Sequence, residues 1–200
     1  MSKNRIASAF QPDENLLGKL LVASPRVPVG FPYGRSVILI LQDTEEGVFG
    51  VVLNRPASPD MLFAWQQAIG EVTFAASKLV AGGPVQGPVL ALHREQNLAE
   101  VELHGDLYVS VEKTAIEQLS QMDQHDEASP FRIVMGAVSW PVGQVENEID
   151  NGHWFVIDAD SDLVFNDPMI LWQNSVRAYG AESIRRATGI SQFPADPLLN

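Results

Sequence analysis

Apolar runs bounded by turn residues recur along the chain: LLGKLLVAS, SVILILQ, GVFGVVLN, KLVAG, GPVLALH, DLYVS, FRIVMGAV, HWFVID and DLVF. Each is four to nine residues long and rich in Val, Ile, Leu and Phe, which predicts strands rather than helices. The polar, glycine-containing DTEEGV joins SVILILQ to FGVVLN and predicts a hairpin between them. A second period intervenes at three places. Ser58-Pro59-Asp60 supplies a cap and a first-turn proline, followed by Met61, Leu62, Trp65, Ala68 and Ile69 at helical spacing up to Gly70. Ser110 opens a second predicted helix with Ala115, Ile116, Leu119 and Met122 on one stripe. Asp167-Pro168 opens a third, through Leu171, Trp172 and Val176 to Gly180. Strands without regular strand-helix-strand alternation predict an α+β fold: a single compact domain of bulged, mainly antiparallel sheet with a few packed helices. Its expected extent is residues 16–188, with a flexible N-terminal tail over 1–15 and a loose C-terminal tail over 189–200.

A length of 200 residues with 46% hydrophobic content suffices for one sizeable core. The 25 acids against 13 basic residues give a net charge of -12, which sets the average surface against nucleic acid. The absence of cysteine excludes disulfides, thiolate zinc sites and a cysteine nucleophile, and suits a reducing, cytoplasmic setting. The early apolar stretch is broken by Gln11, Pro12, Asp13 and Glu14, so it does not read as a signal peptide, and no run reaches the ~20 residues of a bilayer span. No membrane association is expected.

Candidate chemistry is sparse. No Gly-x-Ser-x-Gly elbow exists, and Ser24 and Ser139 read as turn residues. AGGPVQGP follows a strand, so Gly82 and Gly83 are open to two readings, an anion-binding nest or a structural turn; it has neither P-loop nor dinucleotide spacing. Asn54 and Arg55 emerge at a strand end, where Arg55 suits either a bidentate clamp on an anion or the pinning of a loop. The histidines at 93, 104, 125 and 153 show no metal-ligand pairing, and no metal or cofactor is expected. His93, at the end of GPVLALH, is the best placed of them to face a pocket, against the alternative of a bond to a neighbouring carbonyl.

SWPVGQVENEIDNGHW concentrates three acids between Trp140 and Trp154. Gly143 before Gln144 and Asn151-Gly152 after Asp150 predict a short capped helix. On it Glu146 and Glu148 diverge by about 200°, so the acids do not converge on a metal. Gln144 and Glu148 become an i, i+4 polar pair at the core edge.

These motifs carry a resemblance. GKLLVASPRV, RSVILILQDTEEGVFGVVLNRP, AGGPVQGPVLALH and MGAVSWPVGQVENEIDNGHWFV resemble, in order, the successive motifs of the YqgE/AlgH family of bacterial proteins, over roughly Leu16 to Gly180. The chain departs from that pattern at Ser24-Pro25 for Met-Pro, at Gln42-Asp43 for Glu-His, and at Ser139 for glycine; the second departure removes a histidine from the hairpin. The resemblance implies an α+β domain and, for function, only a transcriptional-regulator label. The residues favour a cytoplasmic binding or regulatory domain with Asn54, Arg55, Gly82, Gly83, His93, Trp140, Gln144 and Glu148 around a polar pocket for a small molecule or protein partner. Two alternatives stand beside it: an enzyme with His93 as base and Glu148 as acid, and a regulator using the basic cluster Arg177, Arg185 and Arg186.

Overall fold

The computed structural model describes residues 15–27, 32–70, 74–124 and 130–188. The two expected tails, apart from Asn15, lie outside them. The apolar runs assemble into two five-stranded sheets. The first has the order β10-β1-β2-β3-β9, from β1 (Lys19–Ala23), β2 (Val37–Thr44), β3 (Gly47–Val52), β9 (Val138–Trp140) and β10 (Trp154–Asp158). All its pairings are antiparallel. The predicted hairpin is β2–β3, with a bulge between Ile40 and Gln42. The second sheet has the order β4-β8-β5-β7-β6, from β4 (Leu79–Ala81), β5 (Leu90–His93), β6 (Val101–His104), β7 (Leu107–Ser110) and β8 (Phe131–Met135). Among the described residues only β4–β8 pairs in parallel, and the fold is α+β.

Side-chain alternation assigns each sheet two faces. Leu20, Val22, Val37, Leu39, Leu90, Leu92, Leu107, Val109 and Val134 fill the space between the sheets, together with Leu171 of α5 (Pro168–Thr188) and Val164 of α4 (Ser161–Val164). The outer face of the first sheet packs Leu21, Ile38, Ile40, Trp140 and Trp154 under Val145 and Ile149 of α3 (Gln144–Asp150). The outer face of the second packs Ala91, Phe131 and Ile133 against Trp65 of α1 (Pro59–Ala68) and Ile116 and Leu119 of α2 (Lys113–Gln124).

Four expectations need correction. DLVF is not a strand: Asp160 accepts from the Asp162 and Leu163 amides and caps a single helical turn, α4. FRIVMGAV is not one strand but two in different sheets, split at Gly136, whose φ of 82° bends the chain. Ser110 does not open α2; it ends β7, and the orphan amides of Val111 and Glu112 are met by Glu100 Oε1 at 2.9 and 2.7 Å. Gly180 does not end α5, which continues to Thr188.

Candidate functional site

The sequence-derived candidates divide into three groups. On the outer face of the first sheet, Glu148 Oε2 accepts from Trp140 Nε1 at 3.3 Å and Trp154 Nε1 at 2.7 Å, while its Oε1 accepts from Gln144 Nε2 at 2.9 Å. The expected i, i+4 pair therefore forms, and the carboxylate also joins two buried indoles. Their rings meet edge-to-face at 6.3 Å, and Tyr33 lies 6.2 Å from each. Arg55 covers Tyr33 at 5.9 Å and donates from Nη2 to Pro32 O and, at 3.2 Å, to Ser36 Oγ. Asn54 accepts from Val37 N at 2.9 Å and donates to Arg35 O at 2.8 Å. Arg55 therefore pins the loop at Pro32 and Ser36, and Tyr33 extends the contacts from Arg55 to the Trp140–Trp154–Glu148 group. Tyr33 had no signal in the chain beyond its being aromatic in a glycine- and proline-rich loop.

Gly82 and Gly83 form the second group, and their role is close approach of backbones. A Cβ on Gly82 would lie 2.1 Å from Gly136 O, and one on Gly83 2.1 Å from Ala137 O. Gly82 N donates to Met135 O at 2.7 Å, and Gly82 O accepts from Val52 N at 2.8 Å, which ties the two sheets together. Both glycines thus serve close backbone packing, and the Gly82 N–H is taken up by Met135 O.

His93 is alone. It alternates with Leu92, so it faces α2 on the outer side of the second sheet and is wholly buried. Its Nδ1 accepts from Glu95 N at 3.2 Å, which puts the ring proton on Nε2, 3.0 Å from Ser110 Oγ; Ser110 in turn donates to Leu98 O. Burial pushes its pKa below the usual 6.5. Glu148 lies beyond both sheets on the opposite outer face, so the two cannot act on one substrate as a base–acid pair.

Two recesses lie away from these groups. A recess of about 350 Å³ opens between β10 and the C-terminal half of α5, and a second of about 370 Å³ lies between α4 and the β6–β7 turn. Asp158 and Asp160 line both. Asp158 accepts from Lys19 Nζ at 2.6 Å, which holds its carboxyl below the usual carboxylate range; His104 and Arg186 act in the same direction. In the second recess Arg94 donates to Ser161 Oγ at 2.7 Å and to Asp162, and its Nε faces Asp106 Oδ2 at 3.2 Å as an ion pair without hydrogen-bond alignment. A hydrogen bond from Ser161, followed by the charge of Arg94, lowers the Asp106 pKa. Beside the first recess, Arg185 and Arg186 both bind Glu182. No sequence motif announces this cleft, because its residues come from Arg94, the His104–Asp106 turn, β10, α4 and α5. Among the described residues no group of three or more His, Asp or Glu side chains is arranged to hold a metal, and no helix is long and apolar enough to cross a membrane.

A family profile described as AlgH-like, DUF179, matches residues 20–184. A UPF0301 protein of Thermobifida fusca is 35% identical over 199 residues, covering 93% of this chain and 96% of that one. Another, from Chlorobaculum tepidum, is 35% identical over 171 residues, covering 82% and 87%. Among solved structures, a Corynebacterium diphtheriae protein superposes with a TM-score of 0.64 at 26% identity, over 89% of this chain and 94% of its own. The solution structure of AlgH from Pseudomonas aeruginosa gives 0.61 at 19% identity, over 97% and 100%, a likeness of fold alone.

Proposed function

Because this chain belongs to the AlgH-like family, and its sequence-derived site residues serve chiefly to pin loops and join sheets, we propose that it is a cytoplasmic binding or regulatory protein whose ligand seats in the cleft around Asp158 and Asp160. The observation that carries this reading is the meeting of two recesses at those aspartates, the first largely apolar and the second largely polar, with charged side chains from five parts of the chain between them. The separation of His93 from Glu148 leaves the enzymatic alternative without its acid–base pair. The regulator alternative loses much of its basic patch, since Arg185 and Arg186 share Glu182. An isotope-labelled sample titrated with a panel of small metabolites tests the reading. Amide shifts should cluster at residues 156–162 and 178–186 and around Arg94 and Asp106. Saturable binding that perturbs only residues outside both recesses would sink it.

A further inference from the structure

The occupant of the cleft can be narrowed, on the premise that it is a binding site, by the strand that forms one of its walls. β10 is the outer strand of its sheet and pairs with β1 alone among the described residues. Its register pairs Phe155 with Val22 and Ile157 with Leu20. His153 O accepts from Ser24 N at 2.8 Å and Ala159 N donates to Gly18 O at 3.2 Å, so the odd-numbered residues turn their backbone groups toward β1. The ladder then turns the N–H groups of Val156 and Asp158, and the carbonyl of Val156, outward. Two of the devices that commonly guard an edge are missing here: WFVID contains neither Lys nor Pro, and the β1–β10 register has no bulge. The β4 edge shows the contrast. There Ala57 N donates to Leu79 O at 3.2 Å and Ala81 N to Arg55 O at 2.8 Å, so a passing segment covers it.

The open side of β10 is the first recess, lined by Val156, Ile157 and Asp158 and walled by α5, where Ala178 and Ala181 leave room that larger side chains would fill. Of the acids that line it, Asp158 is paired with Lys19 and Glu182 with Arg185 and Arg186, while Asp160 has no ion-pair partner among the described residues, on a chain whose net charge is -12. An edge with outward donors and an acceptor, an apolar slot beside it, the Asp160 carboxylate at its rim and a strongly acidic chain together match strand addition by a basic peptide. We propose that an extended, basic segment of a partner protein adds to β10 as a further strand of the first sheet. Its apolar side chains enter the slot under α5, and its basic side chains face Asp158, Asp160 and Glu182.

The test uses the full chain, ¹⁵N-labelled, with a pool of N-acetylated octapeptides alternating Val with Lys or Arg. Slowing of Val156 and Asp158 amide exchange by about tenfold or more is expected, together with shifts along 178–186. The same pool N-methylated at alternate residues, and a Val/Glu pool, should give neither. Ala181→Trp, checked for folding by circular dichroism, should abolish the effect by filling the slot, and Glu182→Gln should weaken it. Shifts at the recess without protection of the two amides overturn strand addition while leaving the cleft as a binding site. No response at β10 overturns the proposal too, and the metabolite panel then judges the cleft separately. Self-association through β10, seen as concentration-dependent mass, overturns it in favour of a second copy of the chain.

Discussion

Glu148 accepts from two indoles at once, so its removal strands two buried N–H groups. Glu148→Ala should destabilise the chain by about 2–6 kcal/mol, at roughly 1–3 kcal/mol for each unsatisfied group. Thermal melts and a shift in tryptophan emission would both report it, and an unchanged melting temperature would mean that water replaces the carboxylate without loss. Glu148→Gln keeps acceptor oxygen and should cost less. His93 gives a pH dependence with a definite sign. Its folded-state pKa lies below 6.5 because burial disfavours the cation, so the unfolded chain binds the extra proton first. Stability from this residue is complete above pH 6.5 and is lost as pH falls through the folded-state value. Chemical denaturation between pH 7.5 and about 5 should show that loss, and His93→Gln should flatten it; an equal slope in the variant would assign the loss to other groups.

At the scale of elements, two glycines make opposite predictions. Gly82→Ala would press a Cβ to 2.1 Å from the Gly136 carbonyl and 2.5 Å from Val134 Cγ1, contacts that only backbone movement relieves. A loss at or beyond the top of the roughly 1–3 kcal/mol range for overpacking is expected. Gly180 lies inside α5 with open space around its Cβ position, so Gly180→Ala should stabilise by about 0.5–1 kcal/mol. Melting temperatures of the two variants should therefore move in opposite directions. The same pair marks what the chain's pattern made legible. Apolar runs identify most strands, and Ser58-Pro59 places the start of α1, because these signals are local. Gly180 suggested a helix end because glycine often provides one, but here the pairs of Glu182 with Arg185 and Arg186, three and four residues on, support α5 beyond it. β6 escaped notice because an edge strand with Val101 and Glu102 exposed lacks an apolar run. Of the candidate site, the Gln144–Glu148 pair follows from helical spacing, whereas the cleft does not: its side chains converge only after both sheets and α5 are in place.

The whole molecule is held together where its layers cross, and Arg132 is the clearest case. It sits on β8, 4% exposed, in a run that reads as purely apolar apart from this one side chain. Nη1 donates to Leu53 O at the end of the first sheet, and Nη2 donates to Asn166 O, just before α5, at 2.6 Å. One guanidinium thus joins the two sheets to the helical segment between them. Burial lowers its pKa from the usual guanidinium range to about 10, with Asp167 acting in the opposite direction, so the group stays charged at neutral pH. Arg132→Met would keep much of the volume and relieve the desolvation of a charge, yet it would leave two carbonyls without donors. The second effect should win, because a hydrogen bond to a charged group contributes about 1.5–3 kcal/mol and two are lost together. A net loss of about 2–4 kcal/mol is expected, read as a lower urea midpoint with an unchanged denaturant slope. Trp140, Trp154 and Trp172 report on the first sheet and its helices, and Trp65 on the far face of the second. Fluorescence and circular dichroism transitions should still coincide in the variant, because the Gly82–Val52 bond continues to tie the sheets. An unchanged midpoint would mean that both carbonyls find other donors, and transitions that separate would make Arg132 the principal link between the layers.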